Sequence, residues 1–108
     1  MASIHFERVE GVAMLAIADQ ASGDVLEIQR ADQFDEQDRS LGMDTYCVVR
    51  DGRSSYGGIT AWDIDSGTLA LHLTDVAQQA LDLPSTLAIP IDDEGAALLV
   101  AVLPELLA

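Results

Sequence analysis

The chain contains no lysine and no asparagine, a single cysteine, a single tryptophan, and no basic residue beyond Arg53. Without lysine, Schiff-base chemistry and cofactor imines are excluded, and no phosphate-binding loop can present its lysine. The lone thiol, Cys47, cannot close an intrachain disulfide, which fits a reducing compartment. Cys47, His5 and His72 lie far apart in sequence and form no zinc-ligand spacing. No apolar run approaches the ~18–20 residues that span a bilayer. The start, Met1 to Val9, carries Glu7 and Arg8 without an uninterrupted apolar stretch, so no signal peptide is expected. These absences lead to the expectation of a soluble cytoplasmic protein.

At 108 residues, 49% of them apolar and spread through every segment, the chain suits one core and one domain, 1–108. Nineteen acids face five bases, all arginine, giving a formal net charge of −14. Such a field repels nucleic acid and anionic membrane and speeds encounter with a basic partner. A GC-rich genome or a salt-loving source also depletes lysine, so composition alone leaves both origins of the acidity open.

Ser3 to Val9 alternates apolar and polar residues, as a half-buried strand does. Val12 to Ala18 is a continuous apolar run of the length of a buried strand, and Val25 to Gln29 resumes alternation with Leu26 and Ile28 inward. Ala31 to Met43 is acidic with few apolar anchors and predicts a loop or one helical turn. Asp44 to Arg50, Ser54 to Ile64 and Thr68 to Thr74 read as three consecutive antiparallel strands, joined at Asp51-Gly52 and Asp65-Ser66-Gly67. Gly57-Gly58 interrupts the middle one and predicts a bulge or a close backbone approach. Asp75 is placed to cap a helix near 75–82, with Val76, Ala77, Ala80 and Leu81 on one face and Pro84 beyond its end. Thr86 to Ile91 is a last strand, where Pro90 predicts an edge position or a strand end. Asp92-Asp93-Glu94 opens a C-terminal helix, and Pro104 predicts a kink or two short helices. The fold class is therefore α+β, mostly antiparallel sheet built of a meander and hairpins.

No catalytic set emerges. Cys47 sits mid-strand and packs by default as a small apolar residue, while His5 and His72 are isolated. Asp63 to Gly67 approaches a calcium loop, but its glycine comes one position early and Thr74 stands where a bidentate glutamate is needed. Gly57-Gly58 lacks the spacing of a phosphate loop. The acids of 32–38 remain, either as a solvated loop or as a docking loop. No cofactor and no metal are implied.

The stretches "LEIQRADQFDEQDRSLGMDTYCVV", "YGGITAWDID", "TLALHL" and "DVAQQALDLP", between Leu26 and Ile91, resemble the tenth class of bacterial immunity proteins encoded beside polymorphic toxins. The most specific part is Gly42 to Cys47 followed by Tyr56-Gly57-Gly58 across a hairpin. The resemblance implies a mostly β domain with flanking helices that protects its producer by binding a cognate toxin, often a nuclease, in the cytoplasm. Within it, Asp44, Tyr46, Tyr56, Gly57 and Gly58 are expected to hold the hairpin together, with the tyrosine hydroxyls bonded to Asp44 or to backbone. The docking surface is then expected at Asp32, Asp35, Glu36 and Asp38, with Trp62 as an aromatic anchor. The resulting expectation is a non-enzymatic inhibitor of a basic toxin. The alternative is a homo-oligomeric scaffold or regulatory subunit, a homodimer in the simplest case, formed through Leu98, Leu99, Val102, Leu103, Leu106 and Leu107 of the terminal helix.

Overall fold

A computed structural model describes residues 1–108. Five strands form an antiparallel meander in chain order: β1 (Ala2–Val9), β2 (Val12–Asp19), β3 (Val25–Ala31), β4 (Cys47–Arg50) and β5 (Arg53–Tyr56). A second sheet follows, in the order β6 (Ile59–Asp65), β7 (Thr68–Leu73) and β8 (Thr86–Pro90). Three helices complete the chain: α1 (Glu36–Ser40), α2 (Asp75–Leu81) and α3 (Asp93–Leu106). The expected α+β class with a helix after Thr74 and a C-terminal helix is the observed one.

The pleat sets the core. Leu15 pairs with Ile28 and Ile17 with Leu26, all four pointing inward from β2 and β3. Leu69 and Leu71 do the same on β7. Helix α3 adds Leu99, Val102, Leu103 and Leu106 at helical spacing, and all of these join one cluster. Each fully buried leucine or isoleucine there contributes about 1.5–3 kcal/mol. The six apolar residues of α3 that suggested self-association are thus turned into the chain's own core. Four are buried, and Leu98 and Leu107 pack against the same cluster.

The strand expected from Ser54 to Ile64 is instead two strands in different sheets, broken at Gly57-Gly58. The close approach expected there is present. Gly58 has φ +99°, and a Cβ on it would lie 2.5 Å from the Cβ of Ala77 on α2. Any side chain would push α2 off the corner. Tyr46 bridges the two sheets at this point: its hydroxyl accepts from the Ile59 N–H at 2.8 Å and donates to the Ile59 carbonyl at 3.2 Å. The Gly57 N–H donates to the Tyr46 carbonyl at 2.9 Å.

The helices correct three further expectations. The N-cap of α2 is Thr74, whose hydroxyl accepts from the Ala77 N–H at 3.2 Å, so Asp75 is already inside the first turn. Val76 faces solvent at 75% exposure, and the buried stripe is Ala77 and Leu81. Helix α3 runs through Pro104 as one element and not as two short helices. The missing N–H would have met the carbonyl of Val100, and both residues lie on the exposed face, where water can satisfy that oxygen. Pro90 ends β8, which is an edge strand, as expected.

Two arginines close helix C-termini. Arg30 donates to the carbonyls of Leu106 and Ala108, and Arg50 to those of Leu81 and Asp82. Neither helix has a basic residue in its own last turn, so the sheet supplies the cation that the helix dipole favours there.

Candidate partner-binding surface

The acidic segment is a short capped helix. Asp35 is the N-cap of α1, and its carboxylate accepts from the Asp38 N–H at 2.7 Å. The Asp38 carboxylate accepts from the Asp35 N–H at 3.1 Å, which completes a capping box. No residue of α1 is buried, so these caps, and not packing, hold the turn. Asp32 lies 3.5 Å from Arg8, which also pairs with Glu105. These pairs are exposed and are each worth at most about 1 kcal/mol. Glu36 makes no hydrogen bond or ion pair, so its carboxylate is turned only to solvent. Asp32, Asp35, Glu36 and Asp38 therefore share one segment, and capping does not neutralise their charge.

This segment borders the outer face of the five-stranded sheet. Phe34, Asp38, Met43 and Thr45 close over Val12, Gln29, Ala31, Cys47 and Tyr56, leaving a cleft of about 190 Å³. The Arg30 guanidinium sits 5.6 Å from the centre of the Phe34 ring, which anchors the segment to β3. Beyond the cleft the outward positions of β2 and β4 carry Met14, Ala16, Ala18 and Val49, none of which joins the buried core. The carboxylates among the outward strand positions are Glu7 and Glu27, and the His5 ring lies 3.7 Å from Glu7. None of those positions holds an arginine. Sequence reasoning did not single out this face. Its signal was present in Val12 to Ala18, which is apolar at both alternating sets of positions although only Ala13, Leu15 and Ile17 are buried.

Trp62 lies elsewhere. It is half-buried on β6, packed against the core, and lines a separate shallow surface with Ile59, Thr60, Ala61, Pro104 and Leu107. Among the motif residues, Tyr46 is buried and bonded to Ile59 as described, whereas Tyr56 is 45% exposed on the outer face opposite Cys47. Asp44 is exposed and makes no side-chain hydrogen bond. Burial pushes the Tyr46 phenol above its ordinary value, with the Ile59 backbone bond acting in the opposite direction. Burial also raises the Cys47 thiol, against hydrogen bonding from Ser55 and Tyr56, so the thiol stays protonated near neutral pH. Cys47 and His72 belong to different sheets, and the His72 ring contacts the Thr86 hydroxyl at 3.2 Å.

No group of three or more His, Cys, Asp or Glu side chains is arranged to hold a metal ion. No helix is long and apolar enough to cross a membrane. A family model described as Immunity protein 10 matches residues 1–98. The match extends the earlier resemblance over β1 and β2 at one end and into α3 at the other. No curated protein and no solved structure matches the chain.

Proposed function

The chain belongs to the Immunity protein 10 family, and from that premise we propose that it binds a cognate bacterial toxin domain and neutralises it by covering its working surface. The family match over residues 1–98 carries this reading. The charge supports a finer one. An inhibitor of net charge −14 suits a basic toxin, such as a nuclease whose phosphate-binding surface its carboxylates would occupy. In this reading the single domain 1–108 acts in the producer's cytoplasm, without turnover, and Asp32, Asp35, Glu36 and Asp38 steer the encounter.

The test is protection of cells expressing the toxin domain encoded beside this chain's gene, together with association kinetics for the purified pair. Replacing the four acids by Asn and Gln preserves the cap chemistry, because Asn is as good an N-cap as Asp. The association rate should fall roughly 10- to 100-fold at low ionic strength and little at high salt. Rates unchanged at low salt would remove the segment from the mechanism. A chain that neither binds the toxin nor protects cells would overturn the immunity reading itself.

A further inference from the structure

We infer that the outer face of the five-stranded sheet, bordered by the acidic segment, is the surface on which the toxin docks, and that the toxin meets it with an apolar centre and a cationic rim. This rests on the immunity reading and adds to it the docking surface and the chemistry of the surface it receives.

Three observations carry it. The centre of the face is apolar: Val12, Met14, Ala16, Cys47 and Val49 point outward, and α3 packs on the opposite side. Tyr56, 45% exposed, adds the aromatic type enriched at interface centres. The rim is acidic, with Glu7 and Glu27 on the strands and Asp38 on the segment; no outward strand position holds an arginine, and the Arg30 guanidinium that reaches the cleft from an inward position is bonded to the end of α3.

Area supports combining the face with the segment. At ~4.8 Å between strands and ~3.3 Å per residue, the three long and two short strands present about 500 Å². A stable complex covers about 800 Å² per partner. The sheet face alone falls short, so the inferred surface includes the adjoining α1 segment. Charge decides the occupant. Two copies of this face would bring Glu7, Glu27 and both acidic segments together at a net charge of −14 each, so a second copy is disfavoured and a cationic partner is favoured.

Val49→Arg tests it. The new side chain stands opposite Glu27 in the register, where an ion pair keeps it compatible with the folded sheet. Ala61→Arg, at an exposed position on the other sheet, is the control. Affinity for the purified toxin domain encoded beside the gene is read by calorimetry, with circular dichroism confirming the fold of each variant. Val49→Arg should weaken binding by about 100-fold or more, and Ala61→Arg by less than about threefold. Should Val49→Arg not fold, Tyr56→Ala takes its place with an expected loss of at least about 10-fold, because that side chain is not needed for the core. Equal affinities of the face variant and the unaltered chain would overturn the inference while leaving the immunity reading intact. No binding by the unaltered chain would overturn both. An unaltered chain that sediments as a dimer, with Val49→Arg sedimenting as a monomer, would assign the face to a second copy and also overturn the inference.

Discussion

Replacing Tyr46 by Phe removes one oxygen from the corner where the two sheets meet. That oxygen accepts the Ile59 N–H and donates to the Ile59 carbonyl, at 2.8 and 3.2 Å. A hydrogen bond is worth about 1 kcal/mol net, and a backbone N–H left without its acceptor costs about 1–3 kcal/mol more when water cannot reach it. Ile59 is only half-buried, so the lower part of that range applies, and the loss should be about 2 kcal/mol. For a chain of this size that corresponds to a fall in Tm of roughly 8–15 °C. Urea unfolding should show a lower midpoint with an unchanged slope, because the surface exposed on unfolding is the same. A second readout is pH. Burial raises the Tyr46 pKa above the unfolded value of 10.0. The folded state therefore holds this proton more tightly, and its contribution is intact below about pH 10 and fades as pH rises through the folded value. The unaltered protein should lose stability in that alkaline window, and the Phe variant should lack this component. A midpoint shift equivalent to less than about 0.5 kcal/mol, with the same alkaline slope in both proteins, would refute the bridging role.

Gly58→Ala should destabilise the fold by about 2–4 kcal/mol, combining a left-handed backbone with a steric clash against Ala77, and thermal melting checks it. A paired Ala77→Gly change should recover part of that loss, since it removes the atom met at 2.5 Å. Arg30→Met should cost about 1–2 kcal/mol and increase hydrogen exchange at the end of α3, because two C-terminal carbonyls lose their donor. Uniform exchange across the chain in that variant would mean that the arginine does not act on the helix end.

The strands were legible where one physical period dominated. Leu26 and Ile28, or Leu69, Leu71 and Leu73, alternate cleanly, and their pleat places them in the core. The turns were legible for the same local reason: Asp51-Gly52 and Ser66-Gly67 both have two successive residues at positive φ, the geometry of two-residue hairpins. Gly57-Gly58 showed where the backbone comes close, but whether the chain bulges or changes sheet depends on what lies across it. Here that is Ala77, nineteen residues beyond Gly58, and no local signal encodes it. The cap of α2 was missed for a simpler reason. Thr74 and Asp75 are both capping types, and only the extended backbone at Thr74, with ψ 162°, decides between them. The acidic segment was legible as a group, because Asp32, Asp35, Glu36 and Asp38 crowd a stretch with few apolar anchors. Its position beside an open apolar face was not, since nothing in residues 31–43 says which side of β3 the chain will cover.

The arginines connect this architecture to the surface. Arg8 is paired to Asp32 and Glu105, and Arg30 and Arg50 point at helix C-termini. Only the side chains of Arg39 and Arg53 make no ion pair or hydrogen bond. The cations that balance part of the charge are thus drawn into holding α2, α3 and the end of β1, while Glu7, Glu27 and the α1 carboxylates are left facing outward. With Arg30 and Arg50 turned to helix ends and Arg8 paired to two carboxylates, fewer free cations offset the exposed acids than composition alone implies. That asymmetry is a consequence of the helix ends needing donors, so it would arise in any genome background. At Arg50 one guanidinium nitrogen serves both carbonyls while the other reaches the Asp24 carboxylate at 3.0 Å, a spread of donors that a single ammonium does not offer.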